Sequence, residues 1–284
     1  MPFSSQHLFI SDLDGTLLQD DASISPQAHR QLSEWLEAGL QFTVATARSL
    51  VSVKQILGDL PLRLPVVCAN GAYISDFQTG AHRDVQGITK PRDQDILDLV
   101  RAQGFQPFIS SHYQGKDSVY MSRIDNEAME WYQDDRQRAG DERLHLVEDL
   151  QEVMHEKIIC INVLEHIEPL KRLEAALRKR FGELLHIYFY ENWYSPEWFW
   201  LSIYDESATK GGAIRVLLRE MGLTSENLTV FGDNLNDVSM FQLAENAIAM
   251  ENAKPELKAL ATEVIGTNQA DSVVAYLANQ TIEA

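Results

Sequence analysis

The sequence predicts an α/β protein whose doubly wound parallel sheet carries an inserted α+β domain. Two observations predict the sheet: strand-like runs alternate with helical segments in the first and last thirds of the chain, and these runs are almost entirely apolar, as in strands covered by helices on both faces. In the middle third, strand-like runs follow one another directly, which favours an antiparallel sheet with helices on one face, an α+β module. The expected domains are a core of residues 1–86 and 205–284 and an inserted domain of residues 87–204.

The first third has strand and helix signals in alternation. The run LFIS predicts a strand at residues 8–11. Ser25 and Pro26 suit a helix N-cap and the first helical position, and apolar residues then recur at helical spacing as far as Leu40. The other elements predicted in this third are the strand QFTVATA, the helix LVSVKQIL and the strand LPVVCA.

The later elements are predicted from the same periodicities. In the middle third they are the helix PRDQDILDLVRAQG, a pair of strands, a helix near EAMEWYQDDRQR, the strand KIICINVL, the helix EPLKRLEAALRKRFG and the strands LLHIYFY and EWFWLSIY. In the last third they are the helix TKGGAIRVLLREMG, the strand LTVFG, the helix LNDVSMFQLAE, the strand AIAM, a helix from about Lys254, the strand EVIG and a closing helix through Val273 and Leu277. The middle is an insertion because the same strand–helix alternation continues on both sides of it.

The charge and the absence of targeting signals limit the classes of partner. Lysine and arginine number 24 against 42 aspartates and glutamates, a formal charge of −18. Such a surface disfavours nucleic acid and anionic membranes, and any phosphate site must supply its own local positive charge. The N-terminal segment does not resemble a signal peptide, no run is long enough to span a membrane, and the two cysteines lie in apolar runs typical of buried free thiols. We therefore expect a cytoplasmic protein with no nucleic-acid or membrane partner.

Two aspartates follow the first strand, in the stretch LFISDLDGTLL. Asp12 stands at the carboxyl end of the strand, where open parallel sheets bind ligands, and Asp14 stands in the turn after it. Gly15 permits a sharp bend, and Thr16 can satisfy backbone groups of the turn. For this stretch alone, a pair of solvated acids that cap the turn is an equally good interpretation.

Two further stretches at the same predicted sheet edge could hold an anion. In QFTVATAR, the Thr46 hydroxyl and the Ala47 amide could bind a phosphate oxygen, although for this stretch alone an ordinary helix N-cap is the better explanation. In ESATKGGAI, Lys210 precedes two glycines at the start of a helix, a position that normally favours acids. The lysine therefore suits an anion, and a solvated lysine is the competing interpretation.

Polar residues crowd the end of the strand LTVFG. Gly232 is followed by Asp233, Asn234, Asn236 and Asp237, whereas a turn with an N-cap needs only one such residue. Several acids and amides at the carboxyl end of a strand indicate a hard cation with oxygen ligands, and Mg²⁺ is the cation expected.

Together, DLDGT, the turn at Thr46, Lys210 and GDNLND resemble the four motifs of the haloacid dehalogenase superfamily of phosphohydrolases. ATAR, NGAYI and KGGAI, with the insertion between the last two, resemble its Cof-type subgroup with a IIB cap. The resemblance covers nearly the whole chain and implies a Rossmann-like catalytic core and an α+β cap that selects the substrate. Ala47 departs from the glycine usual in ATGR, but it keeps the backbone amide, so we expect only a small geometric effect.

The resemblance also implies a role for each motif residue. Asp12 is the expected nucleophile, and Asp14 is the expected proton donor and later base. The expected Mg²⁺ site consists of Asp12, the Asp14 backbone carbonyl and Asp233, with Asp237 orienting metal-bound water. The expected phosphate site consists of Thr46, the Ala47 amide, Lys210 and Asn236. The accessory residues are Arg48, which could equally be a structural ion-pair partner, and Asn70 and Gly71, which are expected to shape the rim and hinge of the site.

The predicted function is a Mg²⁺-dependent phosphohydrolase that acts through an aspartyl phosphate on small phosphorylated metabolites, sugar phosphates above others, as a monomer or weak homodimer. A sugar phosphomutase or phosphotransferase stays open, because IIB caps occur there too. A catalytically silent binding protein is a third possibility, against which the second aspartate of DLDGT argues.

The cap offers few candidates for substrate contact. His112, Tyr113 and Lys116 of the stretch 110–116 could reach a substrate, but an exposed hairpin loop is the favoured interpretation. The aromatic stretch from Trp193 to Trp200 could stack on a ring, although alternating aromatic residues suit a sheet core better.

Overall fold

The chain divides into two compact units. The computed structural model describes residues 6–192 and 197–280. We call Met1–Asp84 with Thr209–Ala284 the core unit and Val85–Ala208 the inserted unit. The boundaries fall after Asp84 and after Ala208, where the sequence predicts them after residues 86 and 204.

The described ranges contain the following elements. The strands are β1 Leu8–Ser11, β2 Phe42–Val44, β3 Val66–Cys68, β4 Tyr73–Ser75, β5 His82–Val85, β6 Phe108–Tyr113, β7 Lys116–Met121, β8 Leu144–Leu146, β9 Lys157–His166, β10 Leu185–Glu191, β11 Trp198–Asp205, β12 Leu228–Gly232, β13 Asn246–Ala249 and β14 Glu263–Val264. The α-helices are α1 Pro26–Glu37, α2 Leu50–Leu57, α3 Arg92–Ala102, α4 Glu127–Arg138, α5 Ile167–Phe181, α6 Lys210–Met221, α7 Val238–Phe241, α8 Pro255–Lys258 and α9 Ser272–Gln280. None of the helices in these ranges combines the length and apolar character that a membrane span requires.

The core unit contains a parallel sheet with the strand order β14-β13-β12-β1-β2. Ala45, just after β2, forms a single parallel bridge with Val67 of β3, and β3 also begins the antiparallel sheet β3-β4-β5. The chain thus proceeds from β1 to β2 on one side and returns to the other side of β1 with β12. The boundary between β1 and β12 is therefore the topological switch point, where ligands bind in sheets of this kind. The prediction of a doubly wound α/β core is confirmed.

Capping side chains begin the core helices where the sequence predicts. The Ser25 hydroxyl accepts a hydrogen bond from the Ala28 N–H at 3.0 Å, and α1 then buries an apolar stripe in the core. The Thr209 hydroxyl accepts from the Gly212 N–H at 3.0 Å in the same way. This cap fixes the first turn of α6, which Lys210 opens.

The inserted unit is an α+β module, as predicted. Its sheet has the order β10-β11-β9-β6-β7-β8 and is antiparallel except for the β7–β8 pair. Phe108 and Ile109 are neighbours in β6 and so point to opposite faces. Ile109 belongs to the large apolar cluster that contains α3 and α5, whereas Phe108 packs with Ala128 and Met129 of α4. Helices therefore pack on both faces of this sheet, and the prediction of helices on one face alone is wrong.

Some predicted elements differ from those observed. The helix predicted over residues 235–245 is a 3₁₀ turn at Leu235–Asp237 followed by the short α7. Here the side chains of Asn234 and Asp237 accept hydrogen bonds from backbone N–H groups, and this polar turn replaces the first helical turn. The helix expected from about Lys254 is only α8. The sequence analysis does not predict β4, β5 or β8.

Candidate active site

The loop after β1 brings Asp12 to the switch point. The Asp12 N–H donates to the Phe231 carbonyl oxygen of β12 at 2.9 Å, so the loop leaves the sheet tied to the neighbouring strand. Gly15 adopts φ +71°, and a Cβ atom at this position would lie 2.5 Å from Asp233 Oδ2. Glycine therefore lets the loop pass this close to Asp233. Thr16 Oγ1 donates to Asp233 Oδ1 at 3.2 Å and holds that carboxylate in place.

Lys210 is fully buried between two carboxylates. Its Nζ lies 2.8 Å from Asp12 Oδ1 and 2.6 Å from Asp237 Oδ1. Burial alone would lower the pKa of Lys210, but the carboxylates of Asp12 and Asp237 outweigh it and raise the pKa above its ordinary value. The ammonium group therefore stays charged, and its burial excludes the interpretation as a solvated lysine.

Asp237 organises the loop after β12. Its Oδ2 accepts hydrogen bonds from the N–H groups of Asp233 and Asn234, both at 3.0 Å, and its Oδ1 accepts from Lys210. Gly232 makes this arrangement possible, because a Cβ atom there would lie 2.6 Å from Asp237 Oδ2. At least three protein donors thus hold Asp237, which favours an orienting role over direct ligation of a metal.

The carboxylates at the switch point suit a cation. Asp12, Asp233 and Asp237 each place a carboxylate oxygen within 4.8 Å of the others. Burial holds the pKa of Asp12 well above its ordinary value although Lys210 opposes the rise, and burial together with Asp237 raises the pKa of Asp233 to about 7. A divalent cation would relieve this crowding of negative charge. The residues present therefore fit a hard cation with oxygen ligands.

Buried hydrogen bonds hold the turn after β2 and link it to the β12 loop. The Thr46 N–H donates to the Val67 carbonyl oxygen, and the Asn70 N–H donates to that of Thr46, both at 2.9 Å. Thr46 Oγ1 accepts from the Arg48 N–H at 3.2 Å. Asn236 Nδ2 donates to Asn70 Oδ1 at 3.0 Å, so one amide hydrogen of this predicted phosphate ligand is committed to Asn70.

Gly71 packs directly against the start of α6. It adopts φ +98°, and a Cβ atom there would lie 2.1 Å from the carbonyl oxygen of Thr209. A side chain at this position would therefore displace the helix turn that carries Lys210. This packing contact is one that the sequence does not reveal.

Arg48 is an ion-pair partner of Asp14. Its Nε and Nη2 donate to the two carboxylate oxygens of Asp14 at 2.7 and 2.6 Å, and its Nη1 donates to Ser52 Oγ at 3.1 Å. The Asp14 side chain is 48% exposed, unlike the buried Asp12. Asp14 is thus held by Arg48 and not by Lys210. Ala47, half-buried, lies between Thr46 and Arg48 in the chain.

The candidate cap residues lie at the end of the β6–β7 hairpin. The predicted hairpin is confirmed, but its loop is shorter than residues 110–116, because β6 runs to Tyr113 and β7 begins at Lys116, so that the turn is confined to residues 114–115. His112 Nδ1 lies 2.7 Å from Asp117 Oδ1, across the two strands. The strand periodicity of this stretch is hidden by its polar side chains.

The aromatic stretch is only partly covered by the structure, since residues 193–196 lie outside the described residues. Trp198 is buried, and Trp200 packs against the same apolar cluster, which also contains Phe108. These two residues belong to the sheet core, as the alternation of aromatic side chains favours.

Sequence reasoning misses two contacts of the loop after β1. Thr16 is expected to serve only backbone groups, yet it donates to the Asp233 carboxylate. Asn252 Nδ2 donates to the Gly15 carbonyl oxygen at 2.8 Å. Asn252 follows β13, whose carboxyl end lies at the same sheet edge as those of β1 and β12, and this position could have placed Asn252 near the site, although not its contact with Gly15.

The fold and the switch-point residues belong to a known class of enzyme. The chain is a member of the haloacid dehalogenase-like hydrolase family, which it matches over residues 9–277. It is 28% identical over 272 residues to the pyridoxal phosphate phosphatase YbhA of Escherichia coli (strain K12), with 94% of this chain and 95% of that protein covered. It is 29% identical over 287 residues to the 5-amino-6-(5-phospho-D-ribitylamino)uracil phosphatase YwtE of Bacillus subtilis (strain 168), with 95% and 96% covered. The crystal structure of TM0651 from Thermotoga maritima matches with a TM-score of 0.76 at 26% identity, covering 96% of this chain and 97% of that one. The family predicted from the four motifs is confirmed.

Replacing Lys210 by methionine should lower the free energy of unfolding by about 3–5 kcal/mol, because it leaves Asp12 and Asp237 buried without their cation. Urea denaturation of the metal-free protein measures the change. Lys179→Met, at an exposed position of α5, is the control and should shift the value by less than about 0.5 kcal/mol. Similar small shifts in both variants would contradict the role of Lys210 as the counter-charge.

Proposed function

We propose that the protein is a Mg²⁺-dependent phosphatase that hydrolyses monoesters of small phosphorylated metabolites through an aspartyl phosphate at Asp12. One observation carries the proposal: a buried lysine and three carboxylates converge at the switch point, with Asp12 Oδ1 2.8 Å from Lys210 Nζ. A phosphate ester cannot approach a bare carboxylate unassisted, and this arrangement combines a nucleophile with local positive charge.

The first step would form a bond between an Asp12 carboxylate oxygen and phosphorus while the phosphorus–oxygen bond of the ester breaks. Asp14 would leave its bidentate contact with Arg48, take up a proton and then give that proton to the leaving oxygen. In the second step Asp14 would take a proton from water, whose oxygen displaces Asp12 from phosphorus. Orthophosphate would leave and Asp12 would be regenerated.

The other residues would bind the phosphoryl oxygens and hold the metal. Mg²⁺ would be held by Asp12, the Asp14 backbone carbonyl and Asp233, and when bound it supplies charge neutralisation at the phosphoryl group. Lys210, Thr46, the Ala47 amide and Asn236 would bind the phosphoryl oxygens. Asp237 would keep Lys210 and the β12 loop in place, consistent with its protein donors.

The inserted unit would select the leaving group of the substrate. Both curated relatives described above are named for phosphate esters of small metabolites, which supports this substrate class. Sugar phosphates, expected from the sequence, are the first esters to test.

The decisive experiment is product analysis on a panel of sugar phosphates, pyridoxal phosphate and other small phosphate esters with Mg²⁺. A phosphatase should release one orthophosphate for each ester consumed. An isomerised sugar phosphate without orthophosphate would indicate a phosphomutase instead. Binding of esters with no turnover across the panel would favour a silent binding protein.

A further inference from the structure

We propose that Asn252 is a positioning residue that holds the loop carrying Asp12 and Asp14, an inference that rests on the proposed phosphatase function. Its Nδ2 donates to the carbonyl oxygen of Gly15 at 2.8 Å. Gly15 directly follows Asp14 and has the positive φ on which the bend depends. This carbonyl belongs to the same peptide group as the N–H of Thr16. Asn252 therefore fixes the backbone immediately after the proton donor.

The neighbouring Asn268 holds the Asn252 amide in one orientation. The Asn268 backbone N–H donates to Asn252 Oδ1 at 3.1 Å. Because a backbone N–H can only donate, Oδ1 must face Asn268 and Nδ2 must face Gly15. Asn268 is itself buried, and its Nδ2 donates to the Leu18 carbonyl oxygen at 3.0 Å.

The two asparagines thus hold the loop at two carbonyl groups, those of Gly15 and Leu18. At Asp14 and Gly15 the backbone of the loop departs from helical geometry, so the loop cannot rely on a continuous helical hydrogen-bond ladder. Its own closing bond runs from the Leu18 N–H to the Leu13 carbonyl oxygen at 2.9 Å. The side-chain amides of Asn252 and Asn268, which lie outside the loop, therefore orient its carbonyl groups at Gly15 and Leu18.

Asn252→Asp is the sharpest test, because it keeps the size and the acceptor for Asn268 but replaces the donor that faces Gly15 by a carboxylate oxygen. We expect kcat for ester hydrolysis to fall about ten- to hundredfold while KM stays within about threefold, since a displaced loop impairs the chemical step more than binding. The fall in kcat should be smaller for Asn252→Ala than for Asn252→Asp, because in the alanine variant a water molecule can donate to the Gly15 carbonyl oxygen.

Asn227→Asp is the matched control. Asn227 Oδ1 accepts from the N–H and the hydroxyl of Thr224 at 3.0 and 3.2 Å, so an aspartate can make the same contacts there. This variant should keep the wild-type kcat and KM.

A kcat of Asn252→Asp within about twofold of wild type, or a loss confined to KM, would overturn the proposal while wild-type turnover stands. If wild type releases no orthophosphate from any ester, the proposed function fails. Hydrogen exchange then tests by itself whether Asn252 holds the loop after β1 in place. Exchange of the Leu18 amide should be at least about tenfold faster in Asn252→Asp than in wild type or Asn227→Asp. Equal exchange rates in the three proteins would overturn the positioning role.

Discussion

Asp12→Asn should abolish turnover, lowering kcat by at least about a thousandfold, because an amide cannot replace a carboxylate as the attacking nucleophile. The substitution keeps the size of the side chain and leaves the neighbouring groups in place. The loss should therefore fall on the chemical step. Binding of a phosphate ester should persist, since Lys210, Thr46 and Asn236 are unchanged.

The fold of Asp12→Asn should survive, because the substitution relieves repulsion in the site. Asp12 shares its surroundings with Asp233 and Asp237. Lys210 keeps Asp237 as a partner at 2.6 Å, so its charge is not left alone. The melting temperature of the metal-free protein should consequently stay the same or rise.

Orthophosphate release measures kcat for this variant, and calorimetry of the metal-free protein measures its melting temperature. Asp59→Asn is the control for the loss of one acidic side chain, because Asp59 is 95% exposed. A near wild-type kcat in Asp12→Asn would remove Asp12 from the nucleophile role. A marked fall in melting temperature would contradict the argument from charge crowding.

The core could be predicted because buried parallel strands have continuous apolar sequences. The runs LFIS and LTVFG form β1 and β12, and every residue of both strands is buried. The helix prediction over residues 235–245 is wrong for a physical reason: Asn234 and Asp237 satisfy backbone N–H groups with their side chains. Such local hydrogen bonds compete with a helix but leave the apolar period unchanged.

The grouping of the site residues could be predicted, but their pairings could not. Carboxyl ends of parallel strands share one sheet edge, and this rule alone predicts that Asp12 and Asp233 lie together. The bidentate contact between Arg48 and Asp14 depends on side-chain directions that no spacing encodes. The same holds for Asn252, whose contact with Gly15 joins residues 237 positions apart.

Removal of divalent metal should abolish turnover, and added Mg²⁺ should restore it. Without a cation, the crowded carboxylates of Asp12 and Asp233 would repel a phosphate dianion that Lys210 alone cannot balance. Exhaustive chelation followed by Mg²⁺ titration, with orthophosphate release as the readout, measures the effect. Undiminished turnover after chelation would contradict the metal site.

Mg²⁺ should also stabilise the folded protein, which gives a readout that does not depend on substrate. A ligand that binds only the folded state at 100 times its Kd adds about 2.7 kcal/mol to the free energy of unfolding. Asp233→Asn should lose this increment, yet its metal-free form should be at least as stable as wild type. The amide introduced by this substitution would still offer an oxygen to the Thr16 hydroxyl, which donates to Asp233 Oδ1 at 3.2 Å. An Mg²⁺ increment equal to that of wild type would remove Asp233 from the ligand set.

Asp237→Asn should behave in the opposite way to Asp233→Asn, because the Asp237 carboxylate accepts hydrogen bonds from groups of the protein itself. Lys210 Nζ and two backbone N–H groups donate to it. An asparagine has only one acceptor oxygen and cannot serve the Lys210 ammonium group together with both backbone N–H groups, so the metal-free protein should be destabilised while most of the Mg²⁺ increment remains. If Asp237→Asn instead erased the increment without destabilising the metal-free protein, Asp237 would be a metal ligand in its own right, and its hydrogen bonds would not define its role.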